Sequence, residues 1–167
     1  MPCYKLFNGP MPTTAAQLAV TTGTGIKTLL QIKPFIQAKV VAWGLSFDGA
    51  AAAAGIQCEL LSTGTVFATV TAYADADIHK WQNAADQVAA SVGGLTLGTS
   101  ASGYTASAEG TITATKIHDS QFVQPTGQYA WEFSLGREPI IAVGDSGRIR
   151  VKAAAAVNAI AWMLLEF

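Results

Sequence analysis

Residues 144–147 have the sequence Gly-Asp-Ser-Gly, which matches the tetrad around the nucleophilic serine of trypsin-like proteases. Such a serine needs a histidine as general base and a buried carboxylate that orients the histidine. The chain contains two histidines, His79 and His118, and neither lies in the apolar, small-residue setting that is usual for that base. Glycine and aspartate are also typical residues of a tight turn, so we interpret this tetrapeptide as a turn.

Asp75, Asp77 and His79 are three potential ligands for a hard metal ion. A complete site of this kind needs further ligands and a loop that turns them inward, and the neighbouring sequence supplies neither. The two cysteines lack metal-ligand spacing, and Cys58 falls in an alternating apolar pattern that is typical of a small buried residue. The sequence therefore predicts no metal site, no cofactor and no catalytic residue, and we expect that the protein is not an enzyme.

The four tryptophans could bind a ligand or a partner by stacking. Trp43 and Trp131 lie in alternating apolar patterns and are predicted core residues. Trp81 lies in an irregular segment, and Trp162 lies on the second face of an apolar strand. Exposed aromatic rings on a β-sandwich can stack on sugars, so a carbohydrate-binding module with weak glycan binding is one interpretation. Contact with a neighbouring subunit is the other, since aromatic residues are enriched in the cores of interfaces.

Charged residues make up 13% of the 167 residues, whereas soluble domains average about 25%. The ten basic and eleven acidic residues are scattered along the chain, and the absence of a basic stripe argues against nucleic-acid binding. Proline and glycine interrupt the first residues, so we expect no signal peptide, and no apolar run is long enough to cross a bilayer. We expect a protein made in a reducing cytoplasm, with no membrane partner and with a surface that another subunit covers.

Alternation of apolar and polar residues with a period of two begins at residue 26 and predicts about eight strands. No regular alternation of strands and helices accompanies them. The predicted fold class is therefore all-β, an antiparallel β-sandwich in which a jelly roll is the favoured topology. Between the runs 56–61 and 65–73, the residues 62–64 (Ser-Thr-Gly) predict the turn of a hairpin.

The domain organisation follows from where this pattern starts and where it breaks. Residues 1–24 contain three prolines, which disfavour a helix, and are predicted to form an extended N-terminal arm. Residues 25–167 are predicted to form a single sandwich domain with a long excursion at residues 75–110. Within the excursion, residues 75–92 have an apolar repeat that fits a short amphipathic helix as well as an irregular surface loop.

The last predicted strand, residues 157–167, is apolar on both faces. An antiparallel sheet normally has one face in water, so one face of this strand is expected to close the core. The other face is then expected to contact either a neighbouring protein chain or the N-terminal arm. The predicted subunit interface consists of Ile160, Trp162 and Leu164.

A resemblance to a known family extends over most of residues 20–167. It is carried by three stretches, KVVAWGLSFDGAAAAAGIQCELLSTG, LTLGTSASGYTASAEGT and GRIRVKAAAAVNAIAWMLLEF. These stretches resemble capsid decoration proteins (cement or minor capsid proteins), small proteins encoded among the structural genes of tailed phages of actinobacteria.

The resemblance implies a β-sandwich that forms a homotrimer on the outside of an icosahedral capsid. It implies that the trimer binds the major capsid protein, stabilises contacts between capsomers and resides on the virion exterior. In this interpretation the N-terminal arm contacts the shell through Tyr4, Leu6 and Phe7. A tail or head-fibre sandwich protein is the alternative virion role.

Overall fold

The computed structural model of the chain describes residues 1–83, 85 and 87–167. The strands, in chain order, are β1 (Cys3–Phe7), β2 (Val20–Thr21), β3 (Gly25–Ile32), β4 (Ala38–Asp48), β5 (Ile56–Ser62), β6 (Thr69–Ala72), β7 (His79–Lys80), β8 (Gly103–Ala108), β9 (Lys116–Val123), β10 (Gln128–Glu132), β11 (Ile140–Ile141), β12 (Gly147–Ala153) and β13 (Asn158–Glu166). The helical segments of the described residues are a 3₁₀ turn (Asp75–Asp77) and a short helix, α1 (Ala90–Gly93).

The strands form two antiparallel sheets that pack together. Sheet 1 has the order β10-β4-β13-β1-β7, with β11 paired to β4 and β2 paired to β13. Sheet 2 has the order β6-β8-β3-β12-β5-β9. Strands account for 47% of the residues and helices for 4%, so the predicted all-β sandwich is confirmed. The narrower prediction of a jelly roll is not confirmed.

Side chains from the facing surfaces of the two sheets form one apolar core. Sheet 2 contributes fully buried residues such as Leu30, Leu60 and Ile149. Sheet 1 contributes Val157, which precedes β13, and alternate residues of β13 itself. All of them are buried, as the sequence predicts: Val157, Ala159, Ala161, Met163 and Leu165. Burial of one large aliphatic side chain contributes about 1.5–3 kcal/mol, so this layer holds the two sheets together.

One carboxylate joins the two sheets at their β9 and β10 edges. Asp119 of β9 accepts a hydrogen bond from Trp43 Nε1 at 3.1 Å and another from the Tyr129 hydroxyl at 2.7 Å. The rings of Trp43 and Tyr129 pack edge to face, 5.4 Å apart. Burial and the hydrogen bond to Asp119 raise the pKa of Tyr129 to about 12. The Tyr129 phenol is therefore protonated at neutral pH and donates a hydrogen bond to Asp119. Trp43 is fully buried, which confirms the prediction that it is a core residue.

The prediction of an extended arm over residues 1–24 needs a correction at its start. Cys3–Phe7 forms β1, which pairs with β13 on one side and with β7 on the other. Tyr4 and Leu6 point into the core and are fully buried. Residues 8–19 contain no helix or strand, and Val20–Thr21 forms β2, which also pairs with β13. The apolar alternation of β1 is only five residues long, and the prolines on either side of it hide the strand signal.

The predicted hairpin around residues 62–64 is wrong. β5 pairs with β12 and β9, whereas β6 pairs with β8 at the opposite edge of sheet 2. Thr63 is held by the residue before β12, because its backbone N–H donates to Ser146 Oγ at 3.1 Å. β8 falls within residues 75–110, so the predicted excursion contributes a strand to sheet 2. Turn residues mark a change of direction, but they do not determine which strand the chain joins next.

The apolar repeat in residues 75–92 does not form one amphipathic helix. The described part of this segment contains the 3₁₀ turn, β7 and the start of α1, with irregular chain between them; Ala84 and Asp86 lie outside the described residues. The Asp75 carboxylate accepts hydrogen bonds from the Ser91 N–H, at 2.9 Å, and from the Ser91 hydroxyl. This contact ties the 3₁₀ turn to α1, so the described part of the segment is neither a single helix nor entirely irregular.

A buried arginine holds two connections against the face of sheet 2 that points away from sheet 1. Arg148 of β12 is fully buried, and its guanidinium donates to the carbonyl oxygen of Val66 and, at 3.2 Å, to that of Glu109. The Glu109 carboxylate lies 3.5 Å from the same guanidinium. It also accepts hydrogen bonds from the N–H and the hydroxyl of Thr28, both at 2.6 Å. Arg148 thus connects β12, β3 and the chain on either side of the β6–β8 pair.

We expect that Arg148→Ala lowers the free energy of unfolding by about 3–5 kcal/mol, because it leaves the Glu109 carboxylate without its buried partner. Urea unfolding followed by tryptophan fluorescence measures the loss. Lys152→Ala is the matched control, because Lys152 is a cation on the same strand but is exposed, and its change should stay within about 0.5 kcal/mol. Equal effects of the two substitutions would show that Arg148 does not hold the connections.

Candidate functional site

The face of sheet 1 that points away from sheet 2 carries a group of large apolar side chains. Register pairing places Phe7 of β1 opposite Trp162 of β13. Lys5, two residues earlier on the same face, lies opposite Leu164. The residues that form this surface, which we call the aromatic face, are all partly or largely exposed: Phe7, Trp81, Ile160, Trp162 and Leu164.

The ring of Trp162 lies over a glycine of the neighbouring strand. A Cβ atom at Gly44 of β4 would lie 2.7 Å from Trp162 Cζ2 and 2.8 Å from the Tyr129 carbonyl oxygen. Both distances are shorter than van der Waals contact, so a side chain at this position would displace the ring or the backbone. Ala42 and Ser46 occupy the same face of β4. These small residues form a shallow floor next to the large side chains of β13.

A lysine lies among the rings of the aromatic face. The Lys5 ammonium is 4.3 Å from the centroid of the Trp162 ring, 4.7 Å from that of Trp81 and 5.4 Å from that of Phe7. The His79 ring packs edge to face against Trp81 at 6.0 Å. Burial lowers the pKa of Lys5, because the apolar surroundings replace water around the charged group. Attraction between a cation and an aromatic ring contributes about 0.5–1 kcal/mol at exposed sites and orders the surface around Lys5.

The three residues of the predicted subunit interface lie side by side on β13. Ile160, Trp162 and Leu164 are each of intermediate exposure, so their own chain covers them in part and leaves the rest accessible. Their neighbours Ala159, Ala161, Met163 and Leu165 are buried. The prediction that one face of this strand closes the core is therefore confirmed. Subunit contact through the other face stays a prediction.

The residues predicted to contact a shell separate into two groups. Tyr4 and Leu6 are fully buried, so they cannot contact a shell as predicted, because the alternation of β1 sends them into the core. Phe7 lies on the opposite side of β1, next to Trp162. The structure therefore places Phe7 on the same surface as the predicted subunit interface.

Trp131 is not the core residue that the sequence predicts, because 52% of its surface is exposed. It belongs to β10 at the edge of sheet 1, so among the described residues no strand lies beside it on its outer side. Sequence reasoning also missed Lys5 and Trp81 as parts of the aromatic face. The period of two over Cys3–Phe7 was the signal for Lys5, whereas the position of Trp81 depends on the pairing of β7 with β1.

The Gly-Asp-Ser-Gly tetrapeptide of residues 144–147 makes structural contacts. Ser146 is buried, and its hydroxyl lies 2.6 Å from the Thr63 hydroxyl. The backbone turns at residues 142–145, where Asp145 N donates to the Ala142 carbonyl oxygen. The described residues contain no group of three potential metal ligands. The turn before β12 is therefore a structural turn whose serine is hydrogen-bonded to Thr63.

Comparison with known proteins gives no relative for this chain. No protein-family model matches it, and no curated protein or solved structure is significantly similar to it. No helix among the described residues is long and apolar enough to span a membrane.

We expect that Gly44→Ala destabilises the fold by about 1–3 kcal/mol, because the added methyl group overpacks the contact between Trp162 and β4. Near-UV circular dichroism should change at the same time, since the Trp162 ring must move. Gly55→Ala is the control: a Cβ atom there would meet its nearest neighbour at 3.8 Å, an ordinary contact. Unchanged stability and unchanged tryptophan signals for Gly44→Ala would contradict the close packing of ring on strand.

Proposed function

We propose that this protein is a structural virion protein that binds the outside of an icosahedral phage capsid as a homotrimer and stabilises the contacts between capsomers. The observation that carries the proposal is the aromatic face, an apolar surface on a rigid sheet that its own chain leaves partly open. The resemblance to capsid decoration proteins of tailed phages supports a location on the outside of the capsid. The partners in this proposal are further copies of the chain and the major capsid protein.

The composition of the aromatic face supports a protein–protein contact. Interface cores are enriched in tryptophan and phenylalanine and depleted in charged residues, and this face has two tryptophans, one phenylalanine and one lysine at its centre. A stable contact buries about 800 Å² on each partner. This is roughly a tenth of the 7861 Å² accessible surface of the chain, an area that one face of a seven-stranded sheet can supply.

A decoration protein stabilises a capsid by mass action. If the trimer binds the assembled lattice and not its separated subunits, its binding free energy adds to the stability of the lattice. At a free concentration of 100 times Kd, the gain is about 2.7 kcal/mol for each site. A trimer presents three copies of each weak contact, so avidity raises the overall affinity without any new contact.

A carbohydrate-binding module is the second candidate, because Trp81 and Trp131 are exposed by 46% and 52%. Sugar stacking needs an open ring face. Lys5 lies 4.7 Å from the centroid of the Trp81 ring, and His79 packs against the same ring. These contacts favour a protein partner over a sugar at Trp81. Loss of glycan-array binding in Trp81→Ala, with the fold intact, would instead support the carbohydrate role.

The proposed function predicts a trimer that binds particles. We expect light scattering of the purified protein to give three times the chain mass of 17.3 kDa. We also expect the protein to co-sediment with expanded capsids that lack it, at a fixed copy number relative to the major shell protein. Decorated capsids should then resist heat or chelators better than bare capsids. A monomer without affinity for capsids would contradict the proposal, and electron density on the tail or on a head fibre would support the alternative virion role.

Truncation of Trp162 tests whether the aromatic face makes the subunit contact. We expect Trp162→Ala to weaken trimer formation by about 30-fold or more, because large aromatic residues in interface centres typically contribute 2 kcal/mol or more. Sedimentation equilibrium measures the association constant. Trp131→Ala is the matched control, since Trp131 is a tryptophan of the same sheet that is exposed outside the aromatic face. Equal trimer affinity of both variants and the wild type would exclude Trp162 from the interface.

A further inference from the structure

A row of outward-facing residues crosses sheet 1 from one edge to the other. In strand order from β7 to β10 the register pairs place these residues side by side: His79, Lys5, Leu164, Ala42 and Glu132. Residues paired in this way share a face of the sheet. One end of the row therefore carries a lysine and a histidine, the middle is apolar, and the other end carries a carboxylate.

The two charges of this row have no ionic partner among the described residues. The ion pairs of that part of the chain are Lys39–Glu166, Arg148–Glu109 and Arg150–Glu59, and none of them includes Lys5 or Glu132. Lys5 and Glu132 are separated by β13 and β4, which corresponds to three strand spacings or about 14 Å. They are too far apart to neutralise each other within one chain.

The positions of these charges favour one kind of partner. Lys5 is only partly exposed and lies among three aromatic rings, so any chain that covers the aromatic face removes more water from the ammonium group. An ammonium without a counter-ion is costly to desolvate, and the covering chain must therefore bring an acceptor. Glu132 is exposed on an edge strand, from which its carboxylate can reach a neighbouring molecule.

We propose that a second copy of this chain covers the aromatic face, and that Lys5 of one copy forms an ion pair with Glu132 of the next. This inference rests on the proposed homotrimer. In a closed ring of three, each interface joins two different patches of the same chain. The lysine end and the glutamate end of the row are two such patches, and their charges are complementary. The pairing repeats around the ring and leaves neither charge unpaired.

Other carboxylates on the same face fit the role less well. Glu166 lies 3.8 Å from Lys39 of its own chain and is already paired. Asp48 is exposed but lies opposite Asn158 at the other end of β13, away from the row that contains Lys5. Asp48 is therefore suited as a control, because it has the same charge on the same face in a different row.

Charge reversal with rescue tests the pairing on the full-length chain. We expect Lys5→Glu and Glu132→Lys each to weaken trimer formation by about 30-fold or more in sedimentation equilibrium, since each leaves like charges facing each other in a desolvated contact. The double variant Lys5→Glu with Glu132→Lys should return to within about tenfold of the wild type, because the pair is restored with reversed polarity. Circular dichroism and urea unfolding check that each variant is folded.

Asp48→Lys should change the association by less than about threefold, and it should not rescue Lys5→Glu. Rescue by Glu132→Lys alone supports the pairing. If the wild type is a trimer and Glu132→Lys associates normally, or if the double variant is no better than the single ones, the pairing is overturned while the proposed function stands. A wild type that stays monomeric at its highest soluble concentration overturns the pairing as well, and capsid binding then decides the proposed function independently.

Discussion

The fold depends on a strand that is apolar on both faces and lies in the middle of a sheet. β13 pairs with β4 on one side and with β1 on the other, and its alternate residues from Ala159 to Leu165 close the core between the sheets. The strand cannot turn its other face inward, because adjacent side chains of a strand point in opposite directions. Ile160, Trp162 and Leu164 must therefore face outward, and the surface that they share with Phe7 follows from the same geometry.

Internal polar contacts make the surface even poorer in charge than the composition suggests. Arg148 and Glu109 hold the connections over sheet 2, and Asp119 joins the two sheets through Trp43 and Tyr129. These charged groups make their hydrogen bonds within the fold. A chain with 13% charged residues thus has fewer charged groups on its exterior than its composition alone indicates.

The alternation of apolar and polar residues correctly predicted those features that do not depend on which strands pair with each other. The two faces of β13 and the burial of Trp43 follow from a period of two and from the size of the side chains. The sandwich itself follows from the number of such runs. The hairpin at residues 62–64 was predicted wrongly, because β6 pairs with β8 and not with β5. The residues around the turn contain no signal that would have predicted this pairing. The burial of Trp131 was predicted wrongly for a related reason, since the apolar alternation of β10 does not indicate whether the strand lies at the edge or in the middle of its sheet.

The sequence by itself determined that the chain forms an all-β sandwich and that one strand presents an apolar face in each direction. Both are properties of neighbouring residues, which the backbone geometry of a strand turns into faces. Only the tertiary structure decided that residues 3–7 complete sheet 1 and that Lys5 lies among Phe7, Trp81 and Trp162. The physical reason is that these groups are up to about 160 residues apart in the chain. Strand pairing over such distances stabilises the chain only after the loops between the strands have closed, so the residues near each strand do not determine it.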